Sequence, residues 1–190
     1  MTGTKANKYC IIGAGACGLA VAKNFKQRGI PFDCLEREND IGGLWNIATS
    51  SGIVYETTHL VSASYLTGFD DFPMDEEIFY YYPSHILVLG YLRDYAYTFG
   101  LNEHIELGKP VVRVAPRANR LWEVQVKGEV GARLYCGIVL ANGHHEVPRL
   151  PPYPGTFAGE IIHSRQYKSP RQVREGAYSS LVQEIPPAIF

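Results

Sequence analysis

The 190-residue sequence holds no apolar run that approaches the roughly 20 residues needed to cross a bilayer as a helix. It holds no basic block either. Its 18 Lys and Arg stand against 19 Asp and Glu, for a formal net charge of -1. That balance leaves no electrostatic footprint for a nucleic-acid partner. Cysteine is scarce. The four are Cys10, Cys17, Cys34 and Cys136, and none forms a close pair such as C-x-x-C. The spacing of a zinc site or a disulfide framework is therefore missing. We expect small, partly buried thiols in a reducing, cytoplasmic setting, and no metal. The opening residues, MTGTKANK, have no apolar core and do not read as a signal peptide. Internal repeats and low-complexity tracts are absent from the sequence. What is present is a hydrophobic share of 46%, enough to bury a core in one domain, or one and a part.

The first feature with chemical content is KYCIIGAGACGLAVAKNFKQRGIPFDCLERE. The run YCIIG reads as a buried strand of a parallel sheet. Ala16 to Arg28 follows as a helix, with Leu19, Ala22, Phe25 and Lys26 at helical spacing and Gly29 as its stop. PFDCLER is a second strand that ends near Glu36. Gly13, Gly15 and Gly18 fall at the strand-to-helix turn. In G-x-G-x-x-G the first glycine permits the turn, the second lets a pyrophosphate approach, and the third lets helix and strand pack closely. The helix N-terminus offers unpaired N–H groups to the anion. Glu36 lies about 20 residues further on, where a carboxylate can accept hydrogen bonds from a ribose. The order of strand, glycines, helix, strand and acid points to a dinucleotide.

The rest of the chain narrows the choice of dinucleotide. ENDIGGLW places Gly42, Gly43 and Trp45 just past the acidic strand. This is either a turn closed by a core tryptophan or a second close backbone approach to a long cofactor. Ser84 to Phe99 reads as a helix capped by Ser84, with Val88, Leu92, Tyr95 and Phe99 on one face and Gly100 as its stop. FYYYP reads as an aromatic-packed loop. VVRVA, WEVQV and ARLYC suit an antiparallel meander, and GIVLANG is a further apolar strand ending in glycine. Pro148, Pro151, Pro152 and Pro154 make an extended connector. A meander inserted before the last strand is unlike a plain NAD domain, and with the second glycine cluster it favours FAD. The fold class expected is α/β: a Rossmann-like FAD-binding domain with a parallel sheet, helices and an antiparallel meander.

With these segments in view, the chain resembles the flavin-containing monooxygenases, over roughly residues 8 to 176. GAGACG, GGLW, DDFPM, YLRDYAYTFGL and IVLANGHHEVPRLP all match that family. FAGEIIHSRQY fits the signature F-x-G-x-x-x-H-x-x-x-Y at Phe157, Gly159, His163 and Tyr167. The resemblance implies an enzyme that uses NADPH to reduce FAD, captures O₂, and passes one oxygen to a small substrate with a nucleophilic nitrogen or sulfur. It implies that Gly13, Gly15, Gly18 and Glu36 hold the adenosine diphosphate half of FAD. Gly43, Leu44 and Trp45 would lie further along the cofactor. Phe157, Gly159, His163 and Tyr167 would link two nucleotide domains, with His163 a hydrogen-bonded structural residue at a hinge. No catalytic residue is assigned.

The sequence departs from the family in two places. Many members carry an asparagine near the flavin, shortly before D-F-P. Ungapped counting puts Val61 there, and the nearest polar candidates are His59, Ser62 and Ser64. Members also continue past the SPRQVREG segment into a second glycine fingerprint for NADPH, and these 190 residues contain no second G-x-G-x-x-G. We therefore expect an FAD-binding domain at residues 1–150, a connector at 151–176, and a divergent tail at 177–190, which gives the look of a truncation. The alternatives are a non-catalytic flavin-binding fragment and an NAD(P)-dependent oxidoreductase. Oligomeric state is not legible.

Overall fold

The computed structural model describes residues 7–144, 147–150, 152 and 154–173; the tail expected at 177–190 lies outside them. Strand β1 (Tyr9–Ile12) runs parallel to β2 (Phe32–Leu35) on one side, with Tyr9 opposite Phe32 and Ile12 opposite Leu35. On its other side it runs parallel to β7 (Gly137–Leu140). A two-residue strand, β3 (Ile105–Glu106), extends the sheet beyond β2, so the order is β3-β2-β1-β7. The sequence reading had no β3. Two residues carry no periodicity, and only the pairing with β2 makes them a strand.

Successive strand residues point to opposite faces, and both faces are covered. Ile11 and Cys34 join one core with Leu19 and Ala22 of α1 (Ala16–Gln27) and Val88, Leu92 and Tyr95 of α4 (His85–Thr98). Cys10 and Leu35 join the other core with Val124, Val126 and Tyr135. Those three belong to the antiparallel meander β4 (Val111–Pro116), β5 (Trp122–Val126) and β6 (Arg133–Tyr135). The continuous apolar run of β1 follows from this double burial, while β2 is interrupted by Asp33, which is half-buried and paired with Lys8. Two four-residue helices, α2 (Ser64–Thr67) and α3 (Glu76–Phe79), lie between β2 and α4 and were not anticipated.

Both long helices close on a glycine in the left-handed region, Gly29 at φ 62° and Gly100 at φ 60°. In each, the next amide reaches back over the last turn: Ile30 N–H donates to Phe25 O and Leu101 N–H to Ala96 O. Lys26 Nζ donates to the Gly100 carbonyl at 2.6 Å, which ties the two helix ends together. The buried lysine of α1 is Lys23, not Lys26. Lys23 is ion-paired with Asp71 and stands over the Phe99 ring. A buried lysine needs such a partner, and the partner is far away in sequence. Ser84 holds the N-cap position of α4, but its side chain makes no capping bond. Thr58 O instead accepts the His85 N–H at 2.9 Å.

Arg133 pins the meander to the sheet, donating to both oxygens of Glu106 (2.6 and 2.9 Å) and of Glu129 (2.7 and 2.9 Å). Hydrogen bonds from Arg133 and Lys109 hold the Glu129 carboxyl at about 2. The thiols are free. Cys10 and Cys34 are buried and Cys136 partly so, whereas Cys17 is exposed, against expectation. Cys17 is the second residue of α1 and lies on its exposed side, while Gly18 and Leu19 of the same turn are buried. The tyrosines of FYYYP are exposed rather than packed into a core, and Tyr81 meets Tyr65 and Tyr82 edge-on. Among the described residues, no helix is long and apolar enough to cross a membrane.

Candidate functional site

The three glycines of the β1–α1 turn have different reasons for being glycine. Gly13 sits at φ 103°, and a Cβ there would stand 2.5 Å from the Ala141 carbonyl oxygen at the end of β7. A Cβ on Gly18 would fall on the Gly13 carbonyl, 2.9 Å from its carbon. These two are required by the packing of helix against sheet. Gly15 differs. Its φ is -77°, ordinary for any residue, and a Cβ would meet only Gly43 Cα at 3.6 Å and Gly43 N at 4.0 Å. The chain's own packing therefore leaves room for a side chain at Gly15. Gly15 is also the N-cap of α1 and supplies no side chain to the open first turn, whose N–H groups lack intrahelical acceptors.

A second loop closes on the first. Gly42 (φ 109°) donates its N–H to Ala14 O at 3.1 Å, and a Cβ on it would run into Leu89 of α4. Gly43 (φ 56°) opens a 3₁₀ turn through Trp45, and a Cβ on Gly43 would stand 3.1 Å from Gly15 Cα. The two glycine loops thus meet backbone to backbone. Leu44 is exposed at the loop tip, and Trp45 is half-buried against the core. GGLW thus combines a tryptophan that packs on the core with a backbone bare of side chains beside Gly15.

Glu36 is buried beneath this pair of loops. Its Oε2 accepts the Ala14 N–H at 2.6 Å, and its Oε1 accepts the Glu38 N–H at 3.0 Å. The sequence suggested a carboxylate facing a ribose; the structure makes it a latch on the glycine loop. Each oxygen keeps a second lone pair. We expect Glu36→Gln to lower stability by about 2 kcal/mol, because one backbone donor would face an amide NH₂. Urea denaturation checks this, and an unchanged midpoint would show that the latch carries no weight. Next to it, burial alone would raise the Glu38 carboxyl, but the hydroxyls of Ser50 and Ser51 and then Arg37 hold it below its ordinary value.

The connector residues gather elsewhere. His163 caps the 3₁₀ turn Ser164–Gln166: its Nδ1 accepts the Arg165 N–H at 3.1 Å, and Gln166 Oε1 accepts the His163 N–H at 2.8 Å. Tyr167 packs edge-on to Tyr55, with ring centroids 5.3 Å apart. Phe157 is exposed, with its ring over Gly159. The segment docks on residues 50–56 through Arg165, Lys168 and Ser169, which the sequence reading did not single out. Nothing local marks those three residues, since their partners lie more than a hundred positions away.

Of the positions near the missing asparagine, Val61 is 96% exposed. His59 is exposed and engages Thr57 O through Nδ1 at 3.0 Å. Ser62 pairs with Thr67 at 2.7 Å. Ser64 is buried, and its hydroxyl has no hydrogen-bond partner among the described residues. The polar candidates do not form one cluster.

A parallel sheet with a glycine turn opening onto a helix, a buried acid at the end of β2 and a meander behind it defines a Rossmann-type nucleotide-binding protein. The family model described as "Flavin-binding monooxygenase-like" matches residues 6–178, and the chain belongs to that family. It is 32% identical over 199 residues to flavin-containing monooxygenase FMO GS-OX-like 7 of Arabidopsis thaliana, covering 90% of this chain and 43% of that one. It is 32% identical to dimethylaniline monooxygenase [N-oxide-forming] 2 of Oryctolagus cuniculus, covering 87% of this chain and 33% of that one. The structure of S-allyl-L-cysteine S-oxygenase from Allium sativum superposes with a TM-score of 0.78 at 28% identity, over 87% of this chain and 43% of that one. The chain therefore spans less than half the length of these relatives.

Proposed function

We propose that this chain binds FAD and is the FAD-binding part of a monooxygenase that oxygenates nitrogen or sulfur centres at the expense of NADPH. Gly15 carries the reading. Among the three fingerprint glycines it is the one that the protein's own packing does not require, so its bareness serves something that comes from outside. A pyrophosphate there would meet the first-turn N–H groups of α1 and the partial positive charge of the helix end. Glu36 would accept ribose hydroxyls with its remaining lone pairs while it keeps Ala14 in place. Gly43, Leu44 and Trp45 would flank the cofactor beyond the phosphates. Bound flavin supplies the redox chemistry that passes electrons from NADPH to O₂, so that one oxygen enters the substrate and the other leaves as water. Residues 1–150 would form the cofactor domain and 151–176 the connector, with Phe157, Gly159, His163 and Tyr167 structural within it. His163 suits that role, because its Nδ1 is committed to a backbone amide.

The substrate class follows the relatives, of which one is N-oxide-forming and one is an S-oxygenase. These 190 residues carry one glycine fingerprint, which we assign to FAD. Hydride transfer needs the nicotinamide held against the flavin in a near-attack geometry. The 190-residue chain on its own should therefore bind FAD without oxidising NADPH. Two measurements test this. Purified protein incubated with FAD and desalted should keep an absorbance band near ~450 nm, which nicotinamides lack. Stopped-flow mixing of that complex with NADPH should leave the band unbleached. A colourless protein sinks the FAD assignment, and rapid saturable bleaching sinks the inactivity.

A further inference from the structure

The connector grips the segment that carries Leu44. Lys168 Nζ donates to the carbonyls of Gly52 (2.6 Å) and Val54 (3.3 Å). The amides of Ile53 and Val54 both donate to Leu44 O, at 3.2 and 3.4 Å. One short stretch is thus held from both edges, by an ammonium on one side and by the glycine-loop backbone on the other. It has little freedom to slide. Gly52 and Val54 are buried, and a Cβ on Gly52 would fall on the Asn46 carbonyl. Neighbouring bonds fix the register: Glu56 N–H to Lys168 O at 2.8 Å, Ser169 Oγ to Glu56 Oε2 at 2.6 Å, and the Arg165 guanidinium to Ser50 O at 3.1 Å.

We propose that Lys168 is a positioning residue for the cofactor loop, clamping residues 52–54 so that Leu44 and Gly43 stay seated against Gly15. The proposal rests on the FAD reading for what the loop holds, but not for the clamp itself. A lysine suits the task because an ammonium carries three donors on a flexible stem and can serve two carbonyls at once. Burial, and then the charge of Arg165, lower its pKa below the ordinary value, as befits a cation drawn in among backbone oxygens. The connector's position and the cofactor loop are in this way one mechanical unit.

Hydrogen–deuterium exchange and FAD release, measured on the full chain as wild type, Lys168→Met and Lys168→Arg, test it. In the Met variant the amides of Ile53 and Val54 should lose protection, with α1 and the meander unchanged. FAD should dissociate about tenfold faster, the size expected when a charged hydrogen-bond donor is lost. The Arg variant should stay near wild type in both readouts, which a purely steric role for the side chain would not give. Three results overturn the proposal: a Met variant that matches wild type, exchange that rises evenly across the whole chain, or an Arg variant as loose as the Met one. If wild type holds no FAD, the FAD reading fails, and exchange at Ile53 and Val54 still decides whether the clamp exists.

Discussion

Gly15→Val abolishes FAD binding and leaves the fold in place. A Cβ at Gly15 makes only van der Waals contacts, at 3.6 and 4.0 Å from Gly43. The backbone there is at φ -77°, so valine introduces no strain of the left-handed kind. On the proposed FAD reading, the branched methyls would stand in the way of a pyrophosphate approaching the first-turn amides of α1. Charge-assisted hydrogen bonds are each worth roughly 1.5–3 kcal/mol. Losing two of them weakens FAD by at least about a hundredfold. Flavin fluorescence titration measures the affinity, and circular dichroism with thermal melting reports the fold. A valine variant that folds normally and holds FAD as wild type does would move the phosphate site elsewhere on the molecule.

Gly18→Ala does the opposite: it damages the fold before any ligand is considered. The added Cβ would fall on the Gly13 carbonyl oxygen, 2.9 Å from its carbon and 3.6 Å from the Ala141 side chain. The clash itself is with backbone atoms at the joint of β1, β7 and α1, and no flexible side chain can yield. The helix must lift from the sheet. Overpacking of this kind costs typically 1–3 kcal/mol, occasionally more. A backbone clash belongs at the upper end, so we expect about 3 kcal/mol, a large fraction of a domain's 5–15 kcal/mol. The urea midpoint should fall accordingly, with FAD lost only because the folded population is lost. A midpoint equal to wild type would mean that helix and strand are not in the close contact described.

The contrast between these glycines marks how far the sequence could be read. The motif placed all three at the right turn, because the run YCIIG, the helix and the acidic strand are local patterns. It also gave each a separate task, but not the atoms that each meets, since Ala141 and Gly43 reach the turn only through the sheet and the second loop. The helix 85–98 and the three meander strands were legible for the same local reason. Lys26 was placed on the helical stripe with Leu19, Ala22 and Phe25 and Lys23 was not singled out, because Lys23 is drawn in by Asp71 and Phe99, which lie far away in sequence. Glu36 was read as an acid near the cofactor. Its bonds to Ala14 and Glu38 were not, because main-chain donors leave no trace in residue identity. The signature ending in His163 and Tyr167 was visible as a pattern. What it docks on was not, since Ser50, Gly52, Val54 and Glu56 have no motif of their own.

The lysine that joins the ends of α1 and α4 has a consequence for how the molecule comes apart. Lys26 spans from one helix to the carbonyl of Gly100, where the other is wrapped shut. Three residues earlier, Lys23 holds Asp71 and lies over Phe99, beside the same closure. Neither helix end can fray alone without releasing the other's last turn and uncovering a buried cation. Their opening is therefore shared, so the helix that the first glycine turn opens onto and the helix that braces the second glycine loop form a single cooperative unit.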